Sequence, residues 1–477
     1  MTILERTHQK DPSATYIDGA EWPEVEPMVA NIQQVETVTA SSNSTITLDD
    51  YSEDSLSLKF VNQFGEFLRY TAGRGWMYFN GKHWERDELL IRFNMTSSLC
   101  REVAENVSGE KRERIKSAKT RNAIVEITKA NSAISIKEEV WDAIPSILNT
   151  PGGVVDLKNA VVRQNHSGDH CTQITSVTPD SVSPPTRFLK FLNEVFEGDQ
   201  EVINFMQRFL GYCLTGEISE QVLLFALGAG SNGKSTLLDL VMTIMGSYAK
   251  KLPINVLTQS KHDRHPTELA QLVGVRLAIS SEPEKGHQWA EARIKELTGD
   301  KTLTARFMRG DNFEFNLTQK HFIAGNYQPR LKGNDPAMAR RMILIPFNAV
   351  FSGAQKDPGL PKKLDAESGS ILSWMIEGAV EWYANGLKPP EKIIRASAEY
   401  MESQDDLAAW IEECCITGAN CKQGSGDLYR NFTRWKDARN EPVWSQTEWG
   451  KEMATKNFTK KKTGGKQQYA GIESVSY

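Results

Sequence analysis

In the central part of this chain, apolar runs alternate with segments in which the apolar residues recur at helical spacing. Residues 222–227 form an unbroken apolar run, which is typical of a strand that is buried on both faces. Shorter apolar runs lie within residues 274–282, 321–326 and 342–347, and the segments between them contain stretches with helical spacing. Strands that alternate with helices predict an α/β core with a parallel sheet and flanking helices.

The first apolar run ends in a glycine-rich loop. Residues 228–235 read GAGSNGKS and fit the pattern G-x-x-x-x-G-K-[ST], and helical spacing continues to Met245. Glycines let backbone N–H groups surround phosphate oxygens, and a helix N-terminus adds a positive dipole end. Lys234 would contact the β- and γ-phosphates of ATP, and the Ser235 hydroxyl would bind Mg²⁺. The alternative is a glycine-rich turn that contains Gly-Lys-Ser by chance. The predicted nucleotide-binding residues are Gly228, Ala229, Gly230, Ser231, Asn232, Gly233, Lys234, Ser235 and Thr236.

Two later apolar runs end in a polar side chain. Glu282 could hold Mg²⁺ or its waters and orient the attacking water, with Glu284 as a reserve candidate. Asn326 could hydrogen-bond both the γ-phosphate and that water. The simpler interpretations are an exposed carboxylate at a strand end for Glu282 and a turn former before Pro329 for Asn326.

Arg340 and Arg341 follow a predicted short helix. The planar guanidinium group contacts several phosphate oxygens at once, so either residue could neutralise charge in the transition state of phosphoryl transfer. If the pair lies far from its own loop, a neighbouring subunit would use it, which implies a ring. The alternative is a salt-bridged surface pair.

Basic residues mark two candidate DNA contacts. Residues 302–315 alternate and turn at 309–312, which predicts a hairpin, and its available charges are Lys301, Arg306 and Arg309. A second predicted hairpin, residues 458–469, carries Lys460, Lys461 and Lys462. Solvated surface charges are common, so neither hairpin is specific evidence by itself.

The regions around the core differ in composition. Residues 1–55 are rich in Glu, Ser and Thr, which predicts a disordered arm, either a solvated leader or a partner-binding tail. The next region has helical spacing and a predicted hairpin at Asn80-Gly81, and residues 188–214 have the spacing of one amphipathic helix. The predicted division is 1–55 acidic arm, 56–180 mainly α accessory domain, 181–350 nucleotide-binding core, 351–405 helical connector and 406–477 winged-helix-like DNA-binding domain.

Charge and composition narrow the class of protein. The 477 residues are 39% hydrophobic and 25% charged, as in soluble globular proteins. Residues 1–55 have eleven acidic and two basic side chains, a net charge of −9, so the remainder carries +4 of the total of −5. A mildly basic body permits a nucleic-acid partner. Six cysteines without a C-x-x-C pair indicate reduced thiols, and the sequence has neither a signal peptide nor a long apolar run. We therefore expect a cytoplasmic protein outside the membrane.

Several ordered motifs occur together in this chain. Besides the glycine loop they are LNTPGGVVDL (148–157), GVRLAISSEPEKG (274–286), KELTGDKTLTAR (295–306) and FIAGNYQPRLKGNDPAMARRMILIPF (322–347). As a set they resemble the superfamily 3 helicases of the poxvirus and phage or plasmid primase–helicase type. The resemblance covers about residues 60–470. It implies an AAA+ core between an N-terminal accessory domain and a C-terminal winged-helix-like region.

The resemblance also implies an activity and a set of roles. Family members are ATP-driven hexameric rings that move along single-stranded DNA, usually 3′ to 5′, and unwind forked DNA during replication. The hairpin of residues 302–315 matches the hairpin with which the family grips DNA. The residues that match the family's motifs are Lys234 and Ser235 at the phosphates and Mg²⁺, Glu282 in the second motif, Asn326 as sensor, and Arg340 or Arg341 as the arginine finger given in trans.

The chain departs from the family in two places. Its second motif ends in Ser281-Glu282 rather than in paired acids, which leaves the division of roles between Glu282 and Glu284 open. Many relatives carry a primase domain, whereas 55 residues are too few for one. We therefore expect no primer synthesis, with a primase or polymerase acting in trans. Two alternatives stay open: an origin-binding initiator that uses ATP only to assemble, and another P-loop AAA+ ATPase that remodels DNA without processive unwinding.

Overall fold

The computed structural model describes most of the chain after residue 50. The described residues are 51–259, 267–281, 288–306, 312–331, 335–403, 405–439, 441, 443–463 and 466–475. The prediction of a disordered acidic arm therefore lies almost wholly outside the described residues.

The first described region has its own small core. Leu56 and Phe60 lie one turn apart on the first helix, so both face inward, where they pack with Leu99 and Ile124. The strands form a three-stranded antiparallel sheet with the predicted hairpin at Asn80-Gly81. The elements are α1 (Glu53–Phe64), β1 (Leu68–Thr71), β2 (Gly75–Phe79), β3 (Trp84–Arg86), α2 (Ile91–Glu105), α3 (Gly109–Ile115) and α4 (Ala118–Thr128).

A second antiparallel sheet follows, made of β4 (Ile147–Thr150), β5 (Gly153–Asp156) and β6 (Val161–Arg163). Leu148 and Val155 from this sheet belong to the same buried cluster as Leu224 of the central sheet. The packing therefore crosses the boundary predicted at residue 180.

The next region contains two helices where one was predicted, α5 (Thr186–Val195) and α6 (Gln200–Leu214). Gly198 between them has φ +79°, a backbone conformation that interrupts a right-handed helix. Asp199 then caps α6, because its side chain accepts a hydrogen bond from Val202 N at 3.2 Å.

A parallel sheet forms the centre of the molecule, as the sequence predicted, and it has five strands where the sequence marked four. Its strands lie in the order β13-β7-β12-β9-β8, and every neighbouring pair is parallel. The elements of this region are β7 (Leu223–Leu227), α7 (Lys234–Met245), β8 (Ala249–Lys251), α8 (Thr267–Ala270), β9 (Leu277–Ser281), α9 (Glu291–Gly299), β10 (Thr302–Arg306), β11 (Asn312–Asn316), β12 (Lys320–Gly325), α10 (Pro336–Ala339) and β13 (Met342–Pro346).

Strand β7 is buried on both faces, which explains its unbroken apolar sequence. Leu224 and Ala226 pack into one hydrophobic cluster, whereas Leu223 and Phe225 pack into another on the opposite face. Successive side chains of a strand point to opposite faces. Neither face of β7 is therefore left to water.

Helices α11 (Leu360–Asp365), α12 (Ser368–Asn385) and α13 (Glu391–Ser403) follow the sheet. Helix α12 crosses α6 at two glycines, Gly211 and Gly378. A Cβ atom at Gly378 would lie 2.0 Å from Gln207 O, and one at Gly211 would lie 2.1 Å from Ala379 N. The two backbones thus meet without intervening side chains, and the predicted connector is part of the central core.

The C-terminal region folds around Trp410, Phe432 and Trp449. Three helices pack on a three-stranded antiparallel sheet with the order β14-β16-β15. Among the residues described, no helix is long and apolar enough to cross a bilayer. The elements are α14 (Asp406–Cys414), β14 (Cys415–Gly424), α15 (Ser425–Ala438), α16 (Gln446–Thr455), β15 (Lys460–Thr463) and β16 (Lys466–Ser474).

Candidate nucleotide site

The glycine loop joins β7 directly to α7, as predicted. Gly228 is the first residue after the strand and Lys234 is the first residue of the helix. A Cβ atom at Gly228 would lie 2.4 Å from Phe347 O, and one at Gly233 would lie 2.7 Å from Val195 Cγ2. Only glycine fits either position, because the backbone of the loop is packed tightly against its supports.

Lys234 is buried beneath this loop, with 5% of its surface exposed. Its Nζ donates to Gly228 O at 2.6 Å, to Asn232 Oδ1 at 3.0 Å and to Asn326 Oδ1 at 3.4 Å. Burial lowers the pKa of the ammonium group. Within the described part of the chain it has no carboxylate partner. A buried cation held only by neutral oxygens is suited to bind an anion. The residues present therefore fit a phosphate group.

Asn232 fixes the loop to the residues that follow β13. Its side chain is 3% exposed, and its Nδ2 donates to Phe347 O at 3.2 Å while its Oδ1 accepts from Lys234. Phe351 N donates to Ser231 O at 2.8 Å. Both the nitrogen and the oxygen of the Asn232 side-chain amide are thus bonded within the protein, so Asn232 positions Lys234 and the loop.

Asn326 lies at the same edge of the sheet as the loop. It follows β12, which pairs directly with β7, and its side chain is exposed apart from the bond to Lys234. The carboxyl ends of parallel strands form the usual ligand-binding edge of such a sheet. The structure therefore brings together Lys234 and Asn326, two residues that the sequence selected separately.

The loop also presents exposed groups. Ala229, Ser231 and Ser235 are exposed, and Gly230 and Thr236 are half-buried. Ser235 is the second residue of α7, where its hydroxyl can reach a cation bound beside the loop. Glu282, Glu284 and Arg309 lie outside the described residues; strand β9 ends at Ser281, one residue before Glu282.

Arg340 and Arg341 lie at the other edge of the sheet. Leu223 N donates to Arg341 O at 2.8 Å, whereas the loop begins beyond Leu227. The length of β7 places the pair about 16 Å from the loop, at about 3.3 Å per residue. Neither arginine is therefore near the loop of its own chain.

The two arginines differ in their surroundings. Arg341 is 6% exposed, and its guanidinium donates to Thr298 Oγ1 at 3.1 Å and to Ala337 O at 2.9 Å. Burial lowers the pKa of this guanidinium, and the charge of Arg340 lowers it further. Arg340 itself is exposed. Arg341 is therefore bonded within its own chain, whereas Arg340 is exposed at the surface.

The predicted basic hairpins are both present. Strands β10 and β11 pair antiparallel from Thr302 opposite Asn316 to Arg306 opposite Asn312, and Lys301 and Arg306 are exposed. In the C-terminal region β15 pairs with β16, and the three lysines Lys460, Lys461 and Lys462 are exposed.

The supporting role of Phe347 and Phe351 was not predicted from the sequence. Both contribute backbone groups, Phe347 O and Phe351 N, to the loop. Every residue type has the carbonyl oxygen, and every type except proline has the N–H, so the sequence contains almost no signal for them. The one indirect sign of this support is that Phe347 ends the apolar run that forms β13.

Two family models match the chain. Residues 57–197 match "D5 N terminal like", and residues 226–341 match a family of unknown function, DUF5906. The described fold supports the second match, since these residues contain the loop, α7 and most of the sheet. The N-terminal match shows that the first sheet and its helices are not unique to this chain.

Viral proteins named "Putative helicase" or "Putative primase" are among the relatives. A "Putative helicase" of Acanthamoeba polyphaga mimivirus is 25% identical over 313 residues, which are 61% of this chain and 33% of that protein. A "Putative primase" of African swine fever virus is 25% identical over 328 residues, 63% of this chain and 34% of the relative. Together with the N-terminal match, these relatives support assignment to a primase–helicase family at low sequence identity. The chain spans about one third of the length of these relatives.

Another viral protein and one solved structure are also similar to this chain. A "Putative helicase" of Frog virus 3 is 25% identical over 279 residues, 54% of this chain and 29% of that protein. The C-terminal region of NrS-1, in its apo form, aligns with a TM-score of 0.49 at 12% identity, over 89% of this chain and 100% of that one.

Proposed function

We propose that this chain is an ATP-dependent DNA helicase with an AAA+ core, which assembles as a hexameric ring and moves along single-stranded DNA to unwind forks. The observation that carries the proposal is Lys234, a buried cation at a helix N-terminus whose described partners are all neutral oxygens. Two viral relatives named as helicases and one named as a primase support DNA as the substrate of the motor.

Each residue of the site has a definite task in this proposal. Lys234 exchanges its loop oxygens for the β- and γ-phosphate oxygens of ATP, and the first N–H groups of α7 hold the same phosphates. Asn326, released from Lys234, is free to bond the γ-phosphate and the attacking water. Ser235 and the predicted ligand Glu282 would hold Mg²⁺, which neutralises phosphate charge.

The arginine finger in this proposal is Arg340 of the neighbouring subunit. Arg341 is buried and bonded to Thr298 within its own chain, so it positions the segment that carries Arg340. The hairpin of β10 and β11, with Lys301, Arg306 and Arg309, would face the DNA in the channel.

Substitution of Lys234 tests the nucleotide site. Lys234→Ala should lower ATP hydrolysis by at least a hundredfold, because the charge on the phosphates is lost at the transition state. The fold should persist, since alanine is a good first-turn residue and leaves no charge buried. Hydrolysis is measured as phosphate release, and circular dichroism checks the fold.

A matched variant makes this result specific. Lys250 is an exposed lysine on the edge strand β8 of the same sheet. Lys250→Ala should hydrolyse ATP at the rate of the unmodified protein. Comparable turnover in Lys234→Ala and the unmodified protein would contradict the assigned site.

An origin-binding initiator is the second candidate, favoured by the three-helix, three-strand C-terminal region and its exposed lysines. Both candidates hydrolyse ATP. Only the helicase displaces a labelled strand from a forked duplex as ATP is consumed, and the single-stranded tail that it needs gives its direction. A primase or polymerase in trans would supply primer synthesis for either candidate.

A further inference from the structure

A surface cavity of about 860 Å³ lies in the C-terminal region, away from the glycine loop. The start of α15, one face of α16 and the strands β15 and β16 surround it. Its lining includes Ser425, Gln446, Thr447, Lys451 and Lys460. No step of the nucleotide chemistry uses these residues.

The start of α15 presents unused donors to this cavity. Gly424, which precedes this helix of 14 residues, offers no side-chain cap, so the first N–H groups need an outside acceptor. Ser425 is 6% exposed, and its Oγ has no hydrogen-bond partner among the residues the structure describes. A buried hydroxyl without a partner beside an uncapped helix start is suited to an anion.

A second group of donors lies beside Gly450 of α16, which also lines the cavity. A Cβ atom at Gly450 would lie 3.2 Å from Lys460 Nζ and 3.7 Å from the Tyr469 hydroxyl. Tyr469 is 1% exposed, and its hydroxyl likewise has no partner within the described residues. Burial raises the pKa of this hydroxyl, so it stays protonated and able to donate. The glycine leaves room for an ammonium and a hydroxyl at one place.

The charge of the cavity is positive overall. In the described part of the chain neither Lys451 nor Lys460 is paired with a carboxylate. The one carboxylate in the lining, Asp427, is paired with Arg430. Two lysines without a described carboxylate partner therefore line the cavity together with the start of α15.

We infer that this cavity binds a backbone phosphate of duplex DNA. The inference rests on the proposed function in that DNA is the ligand. Duplex is favoured because Gln446, Thr447 and Lys451 are exposed together on α16, and a helix fits the major groove beside a bound phosphate. Single strands are usually held by stacking on aromatic rings, and none of the described lining residues is aromatic.

Binding of a labelled duplex of about two helical turns by the full chain tests the inference, measured by fluorescence anisotropy without nucleotide. Lys460→Gln should weaken binding about fivefold and reduce the slope of log K against log salt by about 0.9. Lys422→Gln removes the same charge from β14, across β16 and outside the cavity, and should leave affinity unchanged. Equal losses in the two variants would refute the pocket and leave only diffuse attraction.

Three further variants separate a built site from general charge. Ser425→Ala keeps the net charge and should weaken binding about threefold by removing one donor to the phosphate. Tyr469→Phe also keeps the net charge, but its hydroxyl lies behind the lining residues, beside Gly450, and its loss should weaken binding less. Asp427→Asn should strengthen binding. Unchanged affinity in both hydroxyl variants would overturn the inference, as would stronger binding of a single strand than of the duplex.

Two controls separate the source of the phosphate and the role of the motor. Millimolar inorganic phosphate should compete with duplex only weakly, since DNA also contacts α16; full displacement would mean that the cavity takes a free anion, which overturns the inference. Lys234→Ala should bind duplex normally. If ATP hydrolysis fails in the unmodified protein while Lys460→Gln still weakens duplex binding, the proposed motor fails and the DNA pocket stands.

Discussion

Lys234 at the start of α7 and Lys320 in β12 are both buried lysines, but their positions give them different roles. Lys320 Nζ bonds the carbonyl oxygens of Thr215, Glu217 and Thr318 near the end of α6. Burial lowers its pKa to about 7. A cation at the C-terminal end of a helix stabilises the last carbonyl groups. Lys320 is therefore a structural lysine, whereas Lys234 lies at a helix start, where its charge is available to a phosphate.

The neighbouring His321 should make the sheet sensitive to acid. It is 1% exposed, and burial lowers its pKa to about 4. The folded protein then keeps the ring neutral while the unfolded chain binds a proton near pH 6.5. The stabilisation is complete above pH 6.5 and is lost as the pH falls toward 4, by up to about 1.4 kcal/mol per pH unit.

Urea unfolding at several pH values measures this effect. His321→Gln removes the titrating ring, so its stability should fall less steeply between pH 6.5 and 4 than that of the unmodified protein. His166→Gln, at an exposed position, is the matched control. Parallel curves for His321→Gln and the unmodified protein would show that His321 does not control the acid response.

At the residue scale, two of the residues that the sequence selected for the site lie together in the structure. Lys234 and Asn326 were selected from the glycine pattern and from a strand end, and the structure places them in contact. Burial of Arg341 was not predictable. Adjacent arginines look alike in sequence, and only the packing of Thr298 and Ala337 distinguishes them.

At the scale of the elements, the crossing of α6 and α12 depends on its two glycines. Gly378→Ala should destabilise the central core by about 2 kcal/mol, because the new methyl group would overlap Gln207 O and the backbones would have to separate. Helix propensity acts in the opposite direction but is smaller, at about 1 kcal/mol. Thermal unfolding measures the difference.

Another helical glycine serves as the control. Nothing lies within 4 Å of a Cβ atom built at Gly426 in α15. Gly426→Ala should therefore leave the stability equal or slightly higher, through helix propensity alone. If both variants unfold at the same temperature, the close crossing does not limit the stability of the core.

The elements that the sequence predicted well are those with a clear period. Mainly apolar runs marked β7, β9, β12 and β13, since all four lie inside a parallel sheet and are mostly buried. Strand β14 was missed, because most of Cys415–Gly424 is exposed and lacks apolar alternation. The order of the strands was also not predictable, since it depends on which side of the sheet each connection crosses.

At the scale of the whole molecule, the segment after Asn326 connects the nucleotide edge with the C-terminal region. Arg330 pairs with Glu441 at 3.1 Å, and Glu441 in turn bonds the buried Lys436 at 2.8 Å. Pro329 O accepts a hydrogen bond from Tyr400 of α13. The candidate sensor is thus only four residues from an ion pair with the region proposed to hold duplex.

Mixed assemblies test whether Arg340 acts between subunits. Arg340→Ala and Lys234→Ala should each be inactive alone. Mixed in equal amounts, they should recover hydrolysis, because about a quarter of the interfaces then join an intact site to an intact finger. Phosphate release from the mixture measures the recovery.

The same mixture with Arg341→Ala is the comparison. Arg341 is bonded within its own chain, so its loss should reduce activity through local packing. An assembly in which the Arg340→Ala mixture stays inactive would argue against a finger given in trans.

Strand β13 runs between Arg340 and the glycine loop. It begins next to Arg340, and Phe347 at its far end receives the Asn232 amide that steadies the glycine loop. Because β13 pairs with β7 along its whole length, one continuous hydrogen-bonded strand joins these two ends. In an assembled ring, a displacement of Arg340 by the neighbouring subunit would therefore be transmitted through β13 to the glycine loop of the same protomer. The subunits would then hydrolyse ATP in sequence around the ring rather than at random.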